Sequence, residues 1–125
     1  MSELNKDFLA DQPLLKIVID LALDKKAEDI IALDVRGLSS ITDFMVICHG
    51  NSEPQVKAIT DSIRRGTPQK PRYLEGYEKQ NWVLIDYFDV MIHVFNHDQR
   101  EYYSIDRLWA DAPSKKINDE WTKSP

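Results

Sequence analysis

The chain has 125 residues, of which 42% are hydrophobic and 30% charged, with a net charge of −5 and a pI near 5.1. This composition describes a single globular domain, large enough to bury a core and too small for two. The longest basic runs are the pairs Lys25-Lys26, Arg64-Arg65 and Lys115-Lys116, so little direct nucleic-acid binding is expected, whereas a basic protein surface is a suitable partner.

The opening "MSELNKDFLADQ" lacks a basic stretch followed by an apolar one, and no run approaches the ~20 apolar residues that span a bilayer. No membrane partner is expected. Leu14, Leu15, Val18, Ile19, Ala22 and Leu23 recur at helical spacing, and Asp11 and Pro13 signal a helix start near residue 12. Ile30 to Val35 reads as a strand, "RGLSS" as a loop, and Thr42 to Gly50 as a second strand buried on both faces, because its apolar run is continuous. Within it lies the single cysteine, Cys48, which fits a reducing cytosolic setting. Ser52 and Gln55 form a capping box, with Pro54 in the first helical turn. Val56, Ile59 and Ile63 should face inward, Lys57, Asp61 and Arg64 outward, with Gly66 and Pro68 ending the helix.

"PRYLEG" reads as a short edge strand and "YEKQN" as a loop. Trp82 to Ile85 and Val90 to Phe95 form a hairpin around Asp86-Tyr87-Phe88-Asp89, "NHDQ" is a turn, and "REYYSIDRLWA" a short strand or helix. The tail from Ala112 is polar, although Ile117 and Trp121 stand at the spacing of one helical turn. Helices alternating with strands before an antiparallel hairpin give a mixed α/β sheet flanked by helices.

Four places invite a chemical reading. Gly50-Asn51-Ser52, where a strand enters a capped helix, offers free N–H groups to an anion. It lacks the further glycines or Lys of a phosphate loop, and Glu53 repels phosphate. His93 and His97 could share a strand face, but no third ligand stands at zinc-like spacing. Cys48 has apolar neighbours and reads as an inert core thiol. Asp86 and Asp89 could hold a metal, yet Asp at the first position of a turn commonly bonds the backbone two residues on. Tyr87 and Phe88 at an exposed tip have no such explanation and point to a covering partner. On that reading Tyr87 can be truncated with little loss of stability.

The segments "DIIALDVRGLSSITDFMVICHGNS", "QVKAIT", "EG", "WVLIDYFDVMIHVF" and "REYYSIDRLWADAP" follow one another as in the ribosomal silencing factor S (Iojap-like) family, which the chain resembles over about residues 5–113. The resemblance implies a domain at 1–113 with a polar tail at 114–125. It implies a nucleotidyltransferase-like fold without catalytic carboxylates, no enzymatic activity and no cofactor. It also implies a cytoplasmic translational repressor that binds the large ribosomal subunit at its intersubunit face and blocks joining of the small subunit. The implied contact is a basic ribosomal protein, the fourteenth of the large-subunit series, met by Trp82 and Tyr87 with Asp86 and Asp89 beside them, to which the exposed tip adds Phe88. Homodimers are a family trait. Phe88 stands where the family often has Gly, and a phenylalanine resists the positive φ such a turn prefers. Pro54 stands where the family often has Arg, which keeps the helix start and removes a contact. The rival readings are a metal- or nucleotide-dependent enzyme and a homodimeric scaffold.

Overall fold

Residues 8–123 are described by the computed structural model. A six-stranded sheet in the spatial order β3 (Tyr73–Glu75), β4 (Trp82–Asp86), β5 (Val90–Asn96), β2 (Phe44–Gly50), β1 (Glu28–Asp34), β6 (Ser114–Lys116) carries two long helices on one face and a short helical pair on part of the other. After a 3-10 turn at Phe8–Asp11 comes α1, Pro13–Asp24, capped by the Gln12 side chain, which accepts the Leu14 N–H at 3.3 Å. Its apolar stripe of Leu15, Val18, Ile19 and Ala22 is fully enclosed.

Strand β1, Glu28–Asp34, runs antiparallel to β2, Phe44–Gly50, with a bulge at Asp29, which has φ +49°. All seven residues of β2 are buried, as its unbroken apolar run requires of a central strand. Helix α2, Glu53–Gly66, starts on the expected cap: Ser52 Oγ accepts the Gln55 N–H at 3.2 Å. The Gln55 side chain differs from the usual box. Its Oε1 accepts the Asn51 N–H at 2.8 Å, and its Nε2 donates to the carbonyls of Lys25 and Lys26, tying α2 to the end of α1. Gly66 lies where a Cβ would come within 2.4 Å of Leu21, so a close helix–helix approach, rather than a left-handed cap, explains it.

Strand β3, Tyr73–Glu75, is the expected edge strand, followed by the hairpin of β4, Trp82–Asp86, and β5, Val90–Asn96. β5 lies parallel to β2 and completes the centre of the sheet. Val83, Ile85, Tyr87, Val90, Ile92 and Val94 meet α1 and α2, while Trp82, Leu84, Met91 and Phe95 belong to the opposite face.

Three expectations change. Asn96 to Gln99 is not a turn: Asn96 caps a helix, α3, His97–Tyr103, by accepting the Asp98 N–H at 3.3 Å. Ser104, with φ +50°, then breaks it from α4, Ile105–Leu108. Asp61 does not face solvent but is buried, accepting from Tyr77 Oη, Lys57 Nζ and Arg64 Nη1 at 2.9–3.2 Å. Burial alone would raise its pKa; the Tyr77 and Lys57 hydrogen bonds outweigh that and lower it. The polar tail is no tail at its start, because Ser114–Lys116 forms β6, antiparallel to β1. A short, polar, charged strand is what an exposed sheet edge accepts. Beyond it Ile117 and Trp121 pack against the core without a helical turn, and the indole donates to Asp20 Oδ1 at 2.8 Å.

Candidate partner-binding surface

The hairpin decides where the candidate side chains point. Tyr87 N–H donates to the Val90 carbonyl at 2.9 Å, which carries the pairing one residue past Asp86. The loop is therefore Phe88-Asp89 and not Tyr87-Phe88. A shift of one residue sends a side chain to the other face. Tyr87 accordingly joins Val83 and Ile85 in the core with 6% of its surface exposed, and its hydroxyl lies 2.7 Å from Thr67 Oγ1 at the end of α2. Burial raises its pKa. The exposed tip residue expected of Tyr87 is in fact a structural corner.

Phe88 takes the positive φ that a phenylalanine resists, +78°, with the Asp89 N–H bonded to the Tyr87 carbonyl at 3.0 Å across it. Asp86 explains how. Its Oδ1 accepts the Phe88 N–H at 2.7 Å, the Asx arrangement expected of it, and its Oδ2 accepts from Arg72 Nη2 at 3.1 Å. The Arg72 guanidinium lies over both the Phe88 ring at 4.8 Å and the Tyr73 ring at 5.3 Å. Asp86 is thus buried and committed. Asp89 is exposed, and its carbonyl receives the N–H groups of Asp43 and Phe44, pinning the turn to the start of β2. The two carboxylates do not converge. Among the described residues no three His, Cys, Asp or Glu side chains stand together as a metal site.

Trp82 is half-buried on the sheet face away from α1 and α2. Its indole stacks on Phe95 at 4.9 Å, meets Tyr103 of α3 at 4.8 Å, and donates from Nε1 to His93 Nδ1 at 3.0 Å. With Nδ1 accepting, the neutral imidazole carries its proton on Nε2. That nitrogen is buried without a partner among the described residues, and burial pushes the His93 pKa down to about 4. His93 and His97 do not share a strand face, since His97 opens α3 and its ring lies 5.0 Å from that of His49.

Cross-strand register extends the picture beyond the hairpin. Tyr73 pairs with Asp86, and Leu84 with His93, so Tyr73 and Leu84 share the face of Trp82. Tyr73 and Phe88 are each 58% exposed, Tyr103 is 50% exposed, and Tyr102 and Leu108 are more exposed still. Helices α3 and α4 cover only part of this face, and the rest is an aromatic surface rimmed by Arg72, Glu75 and Asp89. Of the residues on this face, Trp82 and Phe88 were expected from the sequence, whereas Tyr73, Leu84 and Tyr103 were not. The alternation of Trp82 and Leu84 with Val83 and Ile85 was the signal for one of them; the others depend on the pairing of β3 and the placement of α3.

The remaining candidates are closed. At Gly50-Asn51-Ser52 the Asn51 N–H is occupied by Gln55, and a Cβ on Gly50 would itself press on Gln55 at 3.1 Å. Cys48 is buried, with its pKa pushed up to about 12 by desolvation. No helix among the described residues is long and apolar enough to cross a membrane.

Comparison with known proteins agrees with this architecture. Residues 9–125 match the family model described as ribosomal silencing factor during starvation. The chain is 45% identical over 112 residues to the ribosomal silencing factor of Halalkalibacterium halodurans, covering 87% of this chain and 96% of that protein. It is 45% identical over 103 residues to that of Bacillus subtilis, covering 80% and 87%. A crystal structure of a Chromobacterium violaceum protein superposes with a TM-score of 0.77 at 33% identity, covering 90% of this chain and 94% of the other. The chain belongs to the ribosomal silencing factor family.

Proposed function

We propose that this protein represses translation by seating its half-covered sheet face on a basic protein of the large ribosomal subunit, the fourteenth of its series. The observation that carries the reading is the apolar, largely aromatic surface of Tyr73, Leu84, Trp82 and Tyr103, left partly open on one face of the sheet and edged by Phe88 and Asp89. Buried aromatics inside a charged rim supply most of the affinity at such interfaces. The net charge of −5 favours a basic partner. Of the five residues picked out by sequence, Trp82, Phe88 and Asp89 are the proposed contacts, while Asp86 and Tyr87 hold the turn that presents them.

The mechanism is occupancy. A body about 30 Å across, seated on the intersubunit face, excludes the small subunit with no covalent step and no cofactor. It acts in the cytoplasm, where the subunits meet. Co-sedimentation with purified subunits tests this: binding to the large subunit alone is expected, with whole ribosomes depleted when the protein is added before the small subunit. Equal binding to both subunits, or unchanged assembly at saturating protein, would refute it. The same apolar surface also fits a second copy of the chain, and a dimer formed through it would compete with the ribosome. Light scattering of Trp82→Ala against the native protein separates the two uses.

A further inference from the structure

A cleft of about 840 Å³ lies beside the proposed partner surface, walled by α3 and α4 on one side and by β1 and β6 on the other. Its place in the topology is informative. β2 and β5 are parallel neighbours, and the chain leaves β2 for α2 on one face and β5 for α3 on the other. Crevices at the carboxyl ends of strands whose connections diverge in this way are where α/β sheets take ligands. The volume falls within the range of about 300–1,000 Å³ usual for small-molecule sites.

The lining has three cations, Arg100, Arg107 and Lys116, against three acids, Asp29, Glu101 and Asp106, but they are not equally engaged. Arg100 is bound to Asp106 at 2.8 and 3.2 Å and to His49 Nδ1 at 3.0 Å, and Glu101 lies 3.7 Å from His97 Nε2. Among the described residues Arg107 and Lys116 make no side-chain hydrogen bond or ion pair, and Asp29, in the β1 bulge, makes no ion pair. Ile31, on the sheet face of α3 and α4, adds apolar surface, while Ile117 at the edge of the cleft is packed toward α1.

We propose that this cleft binds a nucleoside phosphate: its phosphate on Arg107 and Lys116, its sugar hydroxyls on Asp29, and its base against Ile31. A carboxylate is the usual acceptor for a ribose diol, and paired cations for a phosphate. The site is separate from Gly50-Asn51-Ser52, whose Asn51 N–H is occupied, and from the aromatic partner surface.

The test is a ¹⁵N-resolved NMR titration of the full chain with AMP, GMP, CMP and UMP, with adenosine and inorganic phosphate as partial ligands. At least one nucleotide should give saturable shifts at Ile31, Arg107 and Lys116 at about millimolar concentration or below, with adenosine and phosphate each weaker. Arg107→Glu with Lys116→Glu should weaken that nucleotide by about tenfold or more, and Asp29→Asn should weaken it while sparing phosphate. Arg107 and Lys116 are exposed, so the melting temperature of the double variant should stay near that of the native chain. No saturable shift in the cleft with any nucleotide, adenosine binding as tightly as AMP, or affinity that survives charge reversal would each overturn the proposal.

Discussion

Replacing Tyr87 separates a structural corner from a contact residue. The ring is 6% exposed and lies in the core with Val83 and Ile85, so Tyr87→Ala removes a whole buried aromatic. Truncations of this size cost about 3–5 kcal/mol, a large share of the roughly 5–15 kcal/mol that holds a domain folded. For a chain of this length that is a fall in melting temperature of more than about 10 °C. Tyr87→Phe keeps the ring and removes only the hydroxyl. Thr67 Oγ1 retains the carbonyls of Ile63 and Gln69 at 3.0 Å, so no buried group is orphaned and the cost should be about 1 kcal/mol. Urea and thermal unfolding of both variants, with subunit co-sedimentation of Tyr87→Phe, complete the experiment. Near-native ribosome binding is expected of Tyr87→Phe. A Tyr87→Ala protein within about 0.5 kcal/mol of the native one would refute the reasoning and return the ring to the surface.

Trp82→Ala should weaken large-subunit binding by about 2 kcal/mol or more, roughly thirtyfold. It should also lower stability, because both nitrogens of His93 then lack partners; binding kept at native strength in a titration of the variant would contradict the proposed surface. Asp89→Asn should act through on-rate and salt dependence, as exposed rim charges do, whereas Asp86→Asn should cost stability by weakening the hold on Arg72. Stopped-flow binding at two ionic strengths, with unfolding curves for each, distinguishes the pair, and the reverse assignment would count against the turn geometry. For His93 the folded pKa is depressed from 6.5 to about 4, so between those values the unfolded chain binds more protons. Its contribution is full above pH 6.5 and declines as pH falls toward 4. The native protein should lose a few kcal/mol across that window relative to His93→Gln, and parallel stability curves for the two would disprove the assignment.

Much of the fold was legible because periodicity and caps are local. The continuous apolar run of β2, the Ser52–Gln55 cap and the β4–β5 pairing all appear as expected, since neighbours in sequence determine each. The tip of the hairpin was misjudged by one residue. Asp86 was read as the first turn position, yet the pairing of Tyr87 with Val90 depends on a hydroxyl partner at Thr67 and an Arg72 clamp, both distant in sequence. Asp61 was placed outside for a similar reason: its helical position is polar on paper, and only the approach of Tyr77 makes it a buried acceptor. The aromatic surface was half legible. Trp82 announces itself, but Tyr103 reaches it only through a helix whose seven residues are all at least partly exposed and so carry no buried apolar stripe.

The order of strands also fixes an order of folding. The central ladder joins Phe44 to Val90 and the outer one joins Ile31 to Lys116, so the pairings that complete the sheet bridge long stretches of chain. Such non-local contacts slow folding relative to a helical bundle of the same size. During synthesis the β1–β2 hairpin and both long helices exist before β5 is available, leaving one edge of β2 open. When β5 has docked, the outer edge of β1 is still bare until Ser114–Lys116 emerges, and open edges are where chains pair wrongly. Ile117 and Trp121, the latter bonded to Asp20, then fasten the segment after β6 to the first long helix. A chain cut after Ala112 would lose the strand that shields β1 and should aggregate more readily than the full one, which light scattering at matched concentrations checks.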